Sequence, residues 1–144
     1  MREQFSHTAL NLAAQKKLIY TAFSKHIFYY RMFISRFVLE QGSVPLNPFM
    51  LFDYFLLDSL NRDIIREANN SIVMRADEIW VFGPISNGVL AEILLAKKHG
   101  KPLRYYKIDH SCPPIPIEPE DAELEDEVKH HRHLILTNDL CERK

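Results

Sequence analysis

The stretch that most constrains the fold is ADEIWVFGPISNGVLAEILLAKKHGKPLRYYKI, residues 76–108. Its first part, DEIWVFG (77–83), is a short, largely apolar run rich in β-branched and aromatic residues. That is how a strand covered on both faces reads. NGVLAEILLAKKHG (87–100) has helical length and closes on Gly100, where left-handed backbone is easy. KPLRYYKI (101–108) is strand-like again. A strand, a helix and a strand in so short a span make a crossover unit, which sets the strands parallel and lays the helix over the sheet.

The same alternation runs upstream. KKLIYTAFS (16–24) reads as a buried strand, and Ser24 suits an N-cap. The next segment carries apolar residues at 27, 30, 34, 37 and 38 and polar ones at 31, 35, 36 and 40, a helical period ended by Gly42. SVPLNPFML (43–51) is a second short strand broken by prolines, and residues 60–75 are a second helix. The order β-α-β-α-β-α-β predicts an α/β fold. Its core is a small doubly wound, flavodoxin- or Rossmann-like parallel sheet of four to five strands with helices on both faces. This domain spans residues 1–108, with its core at 16–108 and a loose arm or short helix before it. After Ile108 the chain turns proline-rich in DHSCPPIPIEPE, then acidic, with seven carboxylates between 118 and 127. Residues 109–144 are expected to be a linker and one acidic helix starting near Pro119, docked on the domain or on a partner subunit. Its acidic run reads as a solvated face.

A chain of 144 residues fits one domain, and a net charge of -1 argues against nucleic acid or an anionic membrane as partner. The apolar stretches are broken well short of a membrane span. The N-terminus lacks the apolar core of a signal peptide, and two cysteines fit a reducing compartment. A soluble cytoplasmic protein is expected. His130, His131 and His133, with Cys141, His110 and Cys112, follow no metal-ligand spacing, and no metal is expected.

In a doubly wound sheet, ligands bind beyond the carboxyl ends of the strands, near the strand-order switch. The loops there are Thr21–Ser24, Leu46–Phe52 and Gly83–Gly88. Glu92 lies one turn into the helix that follows the last of these. A helix N-terminus favours an ionised carboxylate, and an ionised, positioned carboxylate can act as a nucleophile. Ser86 and the backbone of Asn87 and Gly88 offer groups for hydroxyls or phosphate at the same helix end. Gly88, one turn before Glu92, leaves space above it. These are the parts of a glycosidic-bond site. The plainer alternative is a surface glutamate paired with a lysine or arginine. Ser24, Lys25 and His26 form a second helix start able to bind an anion.

IYTAFS, GSVPLNP, ADEIWVF and SNGVLAEILLAKKHGKPLRYY together resemble the nucleoside 2-deoxyribosyltransferase-like superfamily over residues 18–107. The resemblance implies that Glu92 attacks the anomeric carbon and that Tyr20 orients it. Ser86, six positions before Glu92, is similar to the phosphate-binding serine of the nucleoside 5′-monophosphate N-glycosidases, whereas the transferases carry Asp there. Asn69 stands where active members tend to have an Asp that contacts base or sugar, and AFSK replaces their glycine-rich first loop. The strand DEIWVFG looks like that of an uncharacterised branch. The implied function is an N-glycosidase or deoxyribosyltransferase acting on a nucleoside or its 5′-monophosphate, without cofactor. A non-catalytic nucleotide-binding module is the alternative. The expected catalytic residues are Glu92 and Tyr20. The expected binding residues are Ser86, Asn87, Gly88, Asn69, Ser24 and Gly83. The resemblance also implies a homodimer or higher homo-oligomer, with helix 25–41 as a candidate interface.

Overall fold

The computed structural model describes residues 4–52 and 54–137. Strand β1 (Leu18–Phe23) leads through a 3-10 segment, Lys25–Tyr30, into α1 (Arg31–Glu40). Then come β2 (Val44–Leu46), α2 (Pro48–Leu51), α3 (Tyr54–Ser59), α4 (Arg62–Arg75), β3 (Glu78–Phe82), α5 (Asn87–Lys98) and β4 (Leu103–Lys107). The chain ends in β5 (Ile115–Ile117), 3-10 turns at Pro119–Asp121 and Asp126–His131, and α6 (Arg132–Leu136). No helix among the described residues is long and apolar enough to cross a membrane.

The sheet order is β2-β1-β3-β4-β5. The first four strands in this order are parallel and β5 is antiparallel. The α/β expectation holds. β1 lies between β2 and β3, so the strand order reverses there. The carboxyl ends of β1 and β3 stand side by side, with Phe23 in register with Phe82.

Alternation along the strands builds two cores. Ile19, Phe23, Trp80, Phe82 and Tyr106 face α1 and meet its Ile34 and Val38. Tyr20, Ala22, Ile79, Val81 and Tyr105 face the other way, towards Val73 of α4 and Val89, Leu90, Ile93 and Ala96 of α5. All five residues of β3 are buried, as its apolar run predicts. That includes Glu78, whose carboxylate is satisfied by Lys17 at 2.8 Å, Arg104 at 3.3 Å and the Trp80 indole N–H at 3.0 Å. Burial pushes the Glu78 pKa up, but the hydrogen bonds from Lys17 and Trp80 and the charge of Arg104 outweigh it and leave it lowered.

The region after Ile108 differs from the expected single helix. Pro116 sits in an edge strand, where its missing N–H costs no ladder bond. The chain then runs extended past Leu124, which bridges to Ile85. The Ile85 N–H donates to Glu123 O and the Glu125 N–H donates to Ile85 O, both at 2.9 Å. The physical reason lies in AELE, residues 122–125. Ala122 and Leu124 are buried while Glu123 is exposed, a period of two that a helix cannot bury. Val128 and Ile135 complete this contribution to the core. Lys97, near the end of α5, is half-buried, and its Nζ donates to the carbonyls of Leu134, Ile135 and Thr137 near the end of α6.

Candidate functional site

A cleft of about 730 Å³ opens at the strand-order switch. One wall is the end of β1 and the turn after it, with Ser24 and His26. Ser24 is buried and its Oγ caps the 3-10 segment, accepting from the His26 N–H at 3.2 Å. A second wall carries Pro48 and Phe49 of α2. Buried Asn47 fixes it: Oδ1 accepts from the Phe49 N–H at 3.1 Å, while Nδ2 donates to Arg31 O at 3.1 Å and Ser35 Oγ at 3.0 Å.

The helix α5 supplies Ser86, Asn87, Gly88 and Glu92 to the cleft. Ser86 is its N-cap and accepts from the Val89 N–H at 3.3 Å. A Cβ added at Gly88 would meet only Ser86 Oγ, at 4.0 Å, so the cleft is open beside this residue.

Tyr20 is fully buried beneath the cleft, and its hydroxyl donates to Glu92 Oε2. The pair joins β1 to α5 at the floor. Burial raises the Tyr20 pKa well above its ordinary value, and the negative charge of Glu92 and the hydrogen bond to it add to the rise, so the hydroxyl keeps its proton and remains a donor. Glu92 differs from the sequence expectation. Rather than being held ionised by the helix N-terminus, its pKa is raised to about 7, because burial outweighs the bond from Tyr20. The dipole acts mainly within the first turn, and Glu92 is the sixth residue of α5.

Asn69, on α4, also lines the cleft, and its Oδ1 is a buried acceptor with no hydrogen-bond partner among the described residues. Gly83 does not line it. Its φ is +72°, and a Cβ there would come within 3.1 Å of Ile27 Cδ1 and 3.4 Å of Ile108 Cγ1. The residue is glycine for close packing behind the cleft.

Several lining residues are absent from the sequence reading. Arg62 and Arg66 join Asn69 and Asn70 on one face of α4. Arg66 lies four residues after Arg62, and Asn69 and Asn70 lie three and four after Arg66, which marks a polar face that a search for apolar periodicity passes over. Glu125 and Glu127 come from the extended segment and the turn after it, where the sequence suggests only a solvated helix. His130, His131 and His133 are exposed, and no group of three metal-ligating side chains comes together among the described residues. Cys141 and Asp53 lie outside the described residues.

Fold and site together define an α/β protein with a mostly parallel, doubly wound sheet and a polar cleft at its switch point. The chain belongs to the family described as "Domain of unknown function (DUF7768)", whose model matches residues 19–106. The match runs from β1 to β4 and so takes in Tyr20, Asn69, Ser86 and Glu92. A comparison with curated proteins gives no match.

Proposed function

We propose that the protein is an N-glycosidase or deoxyribosyltransferase acting on a nucleoside or its 5′-monophosphate, with Glu92 as nucleophile. The observation that carries this reading is the hydrogen bond from buried Tyr20 to Glu92 on the floor of the cleft. A glutamate there has one neighbour that aims it and no cation bonded to it among the described residues. In the reaction the ionised carboxylate attacks the anomeric carbon. The bond from sugar to base breaks, its electron pair leaves with the base, and the base takes up a proton. Water, or a second base, then displaces Glu92 from the sugar. Ser86 and Asn87 bind the sugar and its 5′ end, and Asn69 meets the base through its unpartnered oxygen. The raised pKa of Glu92 makes activity climb with pH through about 7.

A second reading, a nucleotide-binding module without turnover, draws on Asn69. An amide binds a base but cannot act as an acid. Self-association belongs to the proposal as well, through the outer side of α1, where Met32, Phe33 and Leu39 are exposed.

The test is chromatographic detection of free base from ribo- and deoxyribonucleosides and their 5′-monophosphates, with Glu92→Ala alongside. Base released by the wild type and not by the variant sustains the enzyme reading. No release, with stabilisation by one of the ligands, leaves the binding module.

A further inference from the structure

The segment after β5 places carboxylates on both groups that would hold an anion at this end of the cleft. Glu127 Oε1 accepts from the Asn87 backbone N–H at 3.2 Å, at the first residue of α5. Glu125 Oε2 lies 3.0 Å from His26 Nδ1. A carboxylate only accepts, so that nitrogen carries the hydrogen. Both carboxylates line the cleft with Glu92. They are not a free tail that happens to fold over. The backbone bonds between Ile85 and residues 123 and 125 fix the chain on one side, and buried Val128 fixes it on the other.

We propose that Glu125 and Glu127 are specificity-determining residues that fill the anion positions and set the cleft for a nucleoside rather than its 5′-monophosphate. This rests on the reading of Glu92 as the group that meets the anomeric carbon. From Asn87 to Glu92 the helix rises about 7.5 Å, and a helical side chain leans back towards the N-terminus, so a pentose whose anomeric carbon meets Glu92 can turn its 5′ substituent towards the helix end. A free 5′-hydroxyl arriving at the helix end can donate to Glu127. A phosphate there finds the N–H already taken and two like charges beside it. In a partly exposed site such repulsion lowers affinity on the order of tenfold. Ser86 alone points the other way, towards phosphate, and the carboxylates supplied from residues 125 and 127 reverse that preference.

The test compares the wild type with the double variant Glu125→Gln/Glu127→Ala, which removes both charges and frees the Asn87 N–H. Thermal shift and equilibrium binding are measured with 2′-deoxynucleosides, with their 5′-monophosphates, and with inorganic phosphate as a separate probe. The wild type is expected to favour nucleosides, and the double variant to raise the ratio of monophosphate to nucleoside affinity about tenfold. Millimolar phosphate is expected to stabilise only the double variant. A wild type that binds monophosphates more tightly than nucleosides, for instance through Arg62 and Arg66, overturns the proposal, as does an unchanged ratio. If no nucleoside or nucleotide binds either protein, the Glu92 reading fails by itself and the phosphate probe still decides. Stabilisation of the double variant alone sustains the role of the two carboxylates. An equal effect on both proteins, or on neither, refutes it.

Discussion

The half-buried carboxylate of Glu92 bears on stability without any substrate. Its pKa in the folded protein is raised from the ordinary 4.5 to about 7, chiefly by burial. Between those values the folded protein holds a proton that the unfolded chain has released. Raising the pH through that window therefore favours the unfolded chain. The shift corresponds to at most about 3 kcal/mol, lost between pH 4.5 and somewhat above 7. Glu92→Gln keeps the shape and removes the ionisation. The difference in unfolding free energy, variant minus wild type, should rise by about 2–3 kcal/mol from pH 5 to pH 8. Urea titrations at several pH values measure it. Trp80 is a convenient probe, because it is the single tryptophan of the chain and is buried. Taking the difference between two proteins cancels the seven histidines, which titrate in both. Parallel stability curves over this range would refute the assignment of a desolvated carboxylate to the floor of the cleft. Curves that diverge in the opposite sense would show a Glu92 pKa lowered by folding.

Tyr20→Phe removes a hydrogen bond to a charged group, worth about 1.5–3 kcal/mol, and so should move the alkaline-rising limb of the base-release profile up by roughly 1–2 pH units. A profile left in place would separate Tyr20 from the ionisation of Glu92. Gly83→Ala must take a left-handed backbone and press on Ile27. It should cost about 1–3 kcal/mol in a denaturant titration, with binding of any cleft ligand unchanged once the protein is folded. A ligand effect without a stability effect would return Gly83 to the cleft.

Local patterns made much of the sheet legible. The apolar run of β3 required burial on both faces. The alternation of strand and helix required parallel strands, and Gly42 and Gly100 marked helix ends. The same logic located Ser86, Asn87, Gly88 and Glu92, because a helix N-terminus after a central strand lands at the carboxyl edge of the sheet. What was not legible was contact across the sequence. Gly83 looks like a loop glycine for a ligand, yet its neighbours are Ile27 and Ile108. The period-two burial at Ala122 and Leu124 is too short to outweigh an acidic, helix-like composition until Ile85 is seen to pair with it.

The sequence by itself determined the layering of this protein, since hydrophobic periodicity is a local property and dictates which face each element buries. It also brought a carboxylate to the second turn of α5. Only the tertiary structure decided the state of that carboxylate and its company. Tyr20 reaches Glu92 across 72 residues, and Glu125 reaches His26 across 99. Burial and charge at a site depend on distances in space, and no spacing along the chain encodes them.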